Sequence, residues 1–449
     1  MSSEPSNQAT EVKGGEGTHV PDATYRLQFG PEFSFREAEE IVNYLRDLGI
    51  SHIYASPVFA CLPGSEHGYD ITDPNRINPR LGGREGLDSL LRRCLEAGLG
   101  WIQDMVPNHM AYSADNPWMT DVLEKGPAST YSGYFHINWE HPHPSLYRRI
   151  AAPFLGSPYA ECLDSGDLGL SFQDGRFFLS YFQLLLPLCP ESYPQILELG
   201  LRDLESLESR HSGEAALLRE ALSICEVAEH PEVIQRLPQI LLDLEARGGG
   251  FRQWLRDFLR EANSAPRSRE WIDYLDWLTR EQHYLPAHWE MACEESGYRR
   301  FFAVNDLIGL RQEREEVYED THRLLLELWE QGRIQGLRVD HLDGLADPAG
   351  YLERLRRDMP GAYLVGEKIL APGEELPAWP IQGTTGYDCL FIFNSILCDP
   401  RGEHGLDRIQ AEMDPEADSG GQSIPEQKRQ LMGVETGLLE TGTERDLET

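Results

Sequence analysis

No stretch of this 449-residue chain approaches the roughly 18–20 consecutive apolar side chains that a membrane-spanning helix requires. The first residues, Met1–Gly17, are polar and rich in Ser, Glu and Gly. They lack the basic start and apolar run of a secretory leader, so they read as a disordered lead-in to a cytoplasmic protein. Basic residues are scarce: 40 Lys and Arg stand against 75 Asp and Glu, a formal net charge of −35. That imbalance argues against nucleic acid and anionic lipid as partners and suits a neutral ligand. Cysteine is sparse and unpatterned. None of Cys61, Cys94, Cys162, Cys189, Cys225, Cys293, Cys389 and Cys398 forms a CxxC pair or stands beside a histidine at zinc-ligand spacing. Reduced, buried, structural thiols are the expectation for each.

What is present is an alternation of strand and helix signals. Thr24–Phe29 is a short β-prone run, and Ser34 with Glu37 forms a capping box that opens a helix through Ala38, Ile41, Val42, Leu45 and Leu48, ended by Gly49. His52–Ala55 reads as a second strand, Glu85–Ala97 as an amphipathic helix, and Leu99–Val106 as a third strand. The rhythm returns with a helix over Glu315–Gln331, a strand over Gly336–Val339, a helix over Pro348–Arg357, and strands over Tyr363–Gly366 and Gly386–Phe393. Strands alternating with helices predict βα units on a parallel sheet. Between the two halves, Asn108 to about Pro194 is rich in Pro, Gly and aromatics and reads as irregular. Tyr193 to about His283 reads as helical, with Trp254, Phe258, Trp271, Tyr274, Leu275 and Leu278 as core faces. The organisation expected is a disordered lead (1–22), the first part of a catalytic barrel (23–107), an inserted subdomain (108–300), the continuation of the barrel (301–400) and an irregular tail (401–449).

Three runs fall at the C-terminal ends of these strands, where barrels and open α/β sheets carry their active sites. In DMVPNHM, Asp104 lies on the strand, with Asn108 and His109 just past it. Taken alone, this run fits a structural turn as readily as a site. In GLRVDHLDG, Arg338 and Asp340 are two residues apart on a strand and share a face. The apolar Leu337 and Val339 favour a buried strand over a surface ion pair. The cation is expected to lower the carboxyl pKa and keep Asp340 ionised, as a nucleophile needs. In LVGEKIL, Glu367 follows an apolar strand, with Lys368 beside it. On successive strands Asp340 and Glu367 would stand ~5 Å apart, close to the ~5–5.5 Å separation of the two carboxylates of a retaining glycosidase. The acid/base of such a pair is expected in the drier position, with a raised pKa.

These runs resemble the first three conserved regions of the α-amylase family of glycoside hydrolases. The resemblance makes Asp340 the nucleophile and Glu367 the general acid/base, with Asp104, Asn108, His109, Arg338 and His341 binding the sugar. HGYDITDP (His67–Pro74) resembles the family's strand-two loop, in which Tyr69 stacks on the sugar and Asp70 helps bind it. Longer runs extend over most of residues 23–395. They include ATYRLQF at Ala23, GISHIYASP at Gly49, PGSEHGYD at Pro63, RRFFAVNDLIGLR at Arg299, and GEKILAPGEELP followed by GTTGYD at Gly383. They resemble the maltooligosyltrehalose synthases within that family. What this implies is a (β/α)8 TIM barrel of the α-amylase type, an α/β fold. The implied reaction is an intramolecular transglycosylation that turns the reducing-end α-1,4 bond of a maltooligosaccharide into an α,α-1,1 bond, with no cofactor or metal. Lys368, Tyr387 and Asp388 lie in the family-specific runs and are candidates to hold the freed glucose. Ordinary loop packing explains Tyr387 and Asp388 equally well.

One element of the family pattern has no counterpart. The third acid, an Asp preceded by His near the seventh strand, is not found; His404 is followed by Gly405. The resemblance therefore implies an incomplete barrel of about six strands, from a truncated or damaged copy or from a split enzyme whose second chain supplies the rest. A hydrolase or transglycosylase of the same family, and a non-catalytic glucan-binding fragment, are the alternative readings.

Overall fold

The computed structural model describes residues 20–206, 212–226, 236–294, 296–371 and 373–413. The lead-in over Met1–Gly17 and the end of the tail lie outside them. Six strands form one parallel sheet: β1 (Thr24–Leu27), β2 (His52–Ala55), β3 (Gly100–Met105), β4 (Gly336–Val339), β5 (Tyr363–Gly366) and β6 (Gly383–Thr384). Each strand pairs with its predecessor in the chain, which is the order of a (β/α)8 wall. The sheet is an incomplete barrel, with helical regions around it.

The helices that cover the sheet follow from local sequence. Ser34 and Glu37 form the capping box of α1 (Phe35–Asp47), which buries Phe35, Ala38, Val42 and Leu45 along one stripe. Gly49 follows at φ +88°, a conformation that suits glycine at a helix end. The helix α2 (Gly83–Glu96) buries Leu87, Leu90, Leu91 and Cys94. Two glutamates in the first turn of α3 (Glu315–Glu330) favour its N-terminus, and Asp347 caps α4 (Pro348–Asp358) by accepting from the Gly350 N–H. Among the described residues no helix is long and apolar enough to cross a membrane.

The long insertion between β3 and α3 is more regular than its composition suggests. Leu168–Gln173, Arg176–Tyr181 and Leu184–Pro187 form an antiparallel three-stranded sheet. Its first turn is Asp174-Gly175, with φ of +49° and +74°, the Asp-Gly pair that a two-residue hairpin favours. Helices follow over Tyr193–Ser206, Ser212–Glu226, Leu237–Arg247, Gly249–Ala262 and Arg269–Arg280, and among them Phe258 stacks on Trp254 and meets Trp271 edge-on. At the exit, Val304–Gly309 pairs with His109–Ala111 at the entry and with Arg300–Phe301. The insertion is thus closed on itself beside the end of β3.

Three expectations need correction. Gly386–Phe393 is not a strand: α5 (Tyr387–Leu397) is a helix, and β6 is the short Gly383–Thr384 before it. The apolar run continues without Gly or Pro to Leu397, long enough for three turns. The start of the tail is helical over Glu403–Met413, where Leu406, Ile409 and Met413 recur at helical spacing. Cysteine burial is not uniform: Cys94, Cys162, Cys189 and Cys225 are buried, but Cys389 and Cys398 are exposed. By its contacts the chain divides into two units, one of 1–368 with 376–385 and one of 369–375 with 386–449.

Candidate active site

The ladder carries the candidate residues to one end of the sheet. Arg338 on β4 is the register partner of Asp104 on β3. Past the last paired residues, the Asp340 N–H donates to Met105 O and the Glu367 N–H donates to Val339 O, both at 2.8 Å. Asp340 and Glu367 are therefore lateral neighbours at the C-terminal ends of β4 and β5.

One guanidinium joins three carboxylates. Arg338 Nη1 lies 2.8 Å from Asp104 Oδ1 and 2.5 Å from Asp340 Oδ1, and Nη2 lies 2.9 Å from Glu367 Oε1. Arg338, Asp104 and Asp340 are 5%, 0% and 6% exposed, which excludes a surface ion pair. Asp104 also accepts from the hydroxyls of Tyr69 (2.6 Å) and Tyr54 (2.9 Å). The backbone N–H of His341, a residue standing at φ +48°, donates to Glu367 Oε2 at 3.0 Å.

The electrostatics differ from the sequence expectation. Burial, opposed by Arg338 and helped by Asp104 and Glu367, raises Asp340 to about 7 instead of lowering it. One cation cannot neutralise three carboxylates in a dry site, so a proton is retained among them. Burial raises Asp104 as well, against the pull of Arg338 and Tyr69. Burial would lower Arg338, but its anionic partners, Asp104 first, raise it. The drier carboxylate of the pair is Asp340, not Glu367, whose side chain is 21% exposed. Burial and the neighbouring His341 lower His109 to about 3, so its ring is neutral.

The remaining candidates divide. Asn108 Nδ2 and both ring nitrogens of His109 are buried with no hydrogen-bond partner among the described residues. Such groups suit the hydroxyls of a sugar. Gly344 makes the close packing possible, because a Cβ there would collide with the His341 ring and Asn108 Nδ2. Asp70 accepts from Ser65 Oγ at 2.5 Å, within its own loop. Lys368 Nζ lies 3.2 Å from Asp343 Oδ1. Tyr387 and Asp388 open α5 in the second unit and are described only there.

Four residues outside the candidate set complete the site. Tyr54 binds Asp104 directly, and the Arg26 guanidinium donates to Tyr69 Oη and lies 5.4 Å from the centre of the Tyr54 ring. The signal for them was the register: Arg26 and Tyr54 are paired on β1 and β2. Phe301 and Phe302 sit at the tip of the hairpin that closes the insertion. Phe301 packs 4.2 Å from His109, and both rings lie 4.9 Å from His341. Phe302 holds φ +48°, a strained state for an aromatic residue. Elsewhere, Cys189, Glu191 and His283 present ligand atoms within 4.8 Å of one another. Burial pushes the Cys189 thiol up to about 12.

Residues 39–161 match the family model described as the α-amylase catalytic domain. A Mycobacterium tuberculosis (strain H37Rv) protein described as a maltooligosyl trehalose synthase is 33% identical over 393 residues. The chain is thus similar to the α-amylase family and, over most of its length, to maltooligosyl trehalose synthases. That alignment covers 86% of this chain and 39% of the M. tuberculosis protein. The structure of the Arthrobacter ramosus maltooligosyltrehalose synthase is 32% identical with a TM-score of 0.66, covering 91% of this chain and 43% of that one. A cyclomaltodextrinase of Geobacillus thermopakistaniensis is 37% identical over 131 residues, 29% of this chain and 21% of that protein. The chain thus spans well under half the length of the maltooligosyl trehalose synthases it matches.

Proposed function

We propose that this chain carries the catalytic carboxylates of an α-amylase-family intramolecular transglycosylase acting on maltooligosaccharides. The observation that carries the reading is the bridging of Asp340 and Glu367, at the ends of adjacent strands, by the single guanidinium of Arg338. Asp340, once ionised, attacks the anomeric carbon of the glucosyl unit next to the reducing end. The bond to the terminal glucose breaks as Glu367 gives its proton to the departing oxygen. The freed glucose turns, and its own anomeric hydroxyl attacks the glucosyl-Asp340 ester while Glu367 takes the proton. Asp340 is released, an α,α-1,1 bond replaces an α-1,4 bond, and no atom is gained or lost. Holding the freed sugar makes the second attack effectively unimolecular.

Water competes for the same intermediate. Phe301, packed against His109 and His341, supports the transfer reading over hydrolysis because it covers both rings with apolar surface, and Phe302, 72% exposed, stands over His341 at the rim. Phe302→Ala is therefore expected to raise glucose release severalfold relative to transfer, measured as the product ratio from maltohexaose. An unchanged ratio would remove Phe302 from this role.

The family's third acid is not found among the described residues, so the assay is run on the chain alone and beside a candidate companion chain. With maltohexaose, the expected product has the substrate's mass and no reducing end. Glucose and maltose as the main products would replace the transferase reading with a hydrolase. A chain that binds maltohexaose without turning it over in either arm would be a glucan-binding protein.

A further inference from the structure

The helical part of the insertion leaves and returns through a narrow neck. Cys189 and Glu191 stand just before the helix Tyr193–Ser206, and His283 stands just after the helix Arg269–Arg280. The excursion between them therefore begins and ends at one point. Hydrogen bonds hold that point together. The Cys189 N–H donates to Gln282 Oε1 at 2.6 Å, Cys189 Sγ donates to Glu281 O at 3.5 Å, and the Tyr284 hydroxyl donates to Leu186 O at 3.2 Å. The Ile150 N–H donates to His283 O, where Tyr284–His288 pairs with Ile150–Leu155.

Three metal-ligating side chains converge there. The Cys189 sulfur, a Glu191 carboxylate oxygen and a His283 ring nitrogen all lie within 4.8 Å of one another. Among the described residues no other group of three Cys, His, Asp or Glu side chains meets that limit. Ligand atoms around a tetrahedral zinc stand roughly 3.5 Å apart, so small side-chain shifts bring the three onto one ion. The histidine is fixed by its neighbour. Gly126 stands at φ +55°, and a Cβ there would lie 2.6 Å from His283 Cγ and Nδ1, so only glycine leaves room for the ring. Cys189 is buried, His283 is half-buried and Glu191 is exposed, so the group runs from the core to solvent and gives an ion a path in.

The donor set selects the ion. A thiolate, an imidazole and one carboxylate suit zinc(II), whereas calcium and magnesium take oxygen ligands. Burial, opposed by Glu191 and helped by Arg148 and Arg149, lowers His283, so its ring is neutral and offers a lone pair. The raised Cys189 thiol is what a buried sulfur facing the Glu191 carboxylate shows without a cation. A dication offsets that cause, and the thiol proton passes to solvent as the sulfur–metal bond forms.

We infer that Cys189, Glu191 and His283 bind one zinc(II) ion, which staples the neck of the helical excursion and holds water at its fourth position. The site stands apart from the carboxylate cluster and takes no part in the reaction proposed above. The test uses the full chain, stripped with a chelator and titrated with zinc chloride by calorimetry. One zinc per chain is expected, with Kd on the order of 1 μM or tighter, and the melting temperature should rise on binding. Cobalt(II) in place of zinc should show a sulfur-to-cobalt charge-transfer band and the visible absorption of a tetrahedral ion. His283→Asn is expected to weaken zinc roughly 100-fold and Glu191→Gln roughly tenfold. Cys189→Ser should abolish the charge-transfer band, and Cys389→Ser, at an exposed thiol, should leave it intact. Glu191 is exposed, so its variant keeps the fold whatever substitution does at the buried Cys189. A cobalt spectrum without the sulfur band, or equal zinc affinity in the wild type and Glu191→Gln, overturns the inference.

Discussion

Asp340→Asn is expected to lower turnover by roughly four orders of magnitude or more, and yet to give a chain more resistant to heat at pH 8 than the wild type. The two effects share one cause. In the folded chain Asp340 titrates at about 7, against an ordinary value of 3.8, because burial and the facing Asp104 and Glu367 outweigh Arg338. The folded state thus keeps a proton that the unfolded state gives up from about pH 4 upward. Folding stability falls across that interval, and the whole penalty is present above about pH 7. Asparagine carries no charge and escapes it. Some of the gain is offset by the lost charge-assisted bond to Arg338, leaving on the order of 1 kcal/mol. Thermal melts at pH 5 and pH 8 check this: the advantage of the variant should appear at pH 8 and shrink at pH 5. Equal destabilisation at both values would show that Asp340 carries no such penalty. The same ionisation must precede attack, so kcat/KM of the wild type should climb with pH through the neighbourhood of 7.

Most of the frame of this site was legible in the sequence. The capping box at Ser34, the apolar strands around Arg338 and Glu367, and the alternation of strand and helix each rest on interactions within a few residues. They therefore survive folding unchanged. The signs of the pKa shifts were not legible. Arg338 and Asp340 are two residues apart, and their spacing alone suggests a private ion pair. Asp104 and Glu367 reach the same guanidinium only through the register of three strands. Tyr54 and Arg26 were passed over for the same reason: each lies in a short β-prone run and gains its meaning from the strand beside it. Phe301 and Phe302 are drawn to His341 by the hairpin that ends an insertion of about 200 residues, and no local pattern announces that return. The helix at Tyr387–Leu397 was a different failure. An apolar run rich in aromatics fits a strand by composition, and only its length favours the helix.

Arg338 is where fold and chemistry can be separated. Arg338→Ala leaves Asp104, Asp340 and Glu367 together without their cation, two of them almost wholly buried. Breaking a buried charge network by deleting one partner costs about 3–5 kcal/mol. The loss should be largest at alkaline pH and recede on acidification, because protonating the carboxylates removes the repulsion. Urea unfolding at pH 5.5 and pH 8 reads this directly, and a loss independent of pH would mean that Arg338 acts through packing. Arg338→Lys tests the geometry. An ammonium restores the charge, so most of the stability should return. It presents one nitrogen where the guanidinium presents two, Nη1 to Asp104 and Asp340 and Nη2 to Glu367. The lysine variant is therefore expected to fold near wild-type stability and to lose roughly 100-fold or more in kcat, the cost of misplacing the two carboxylates by about 1 Å. Activity returning together with stability would show that charge alone is required, and that the fork which aligns Asp340 with Glu367 is not part of the mechanism.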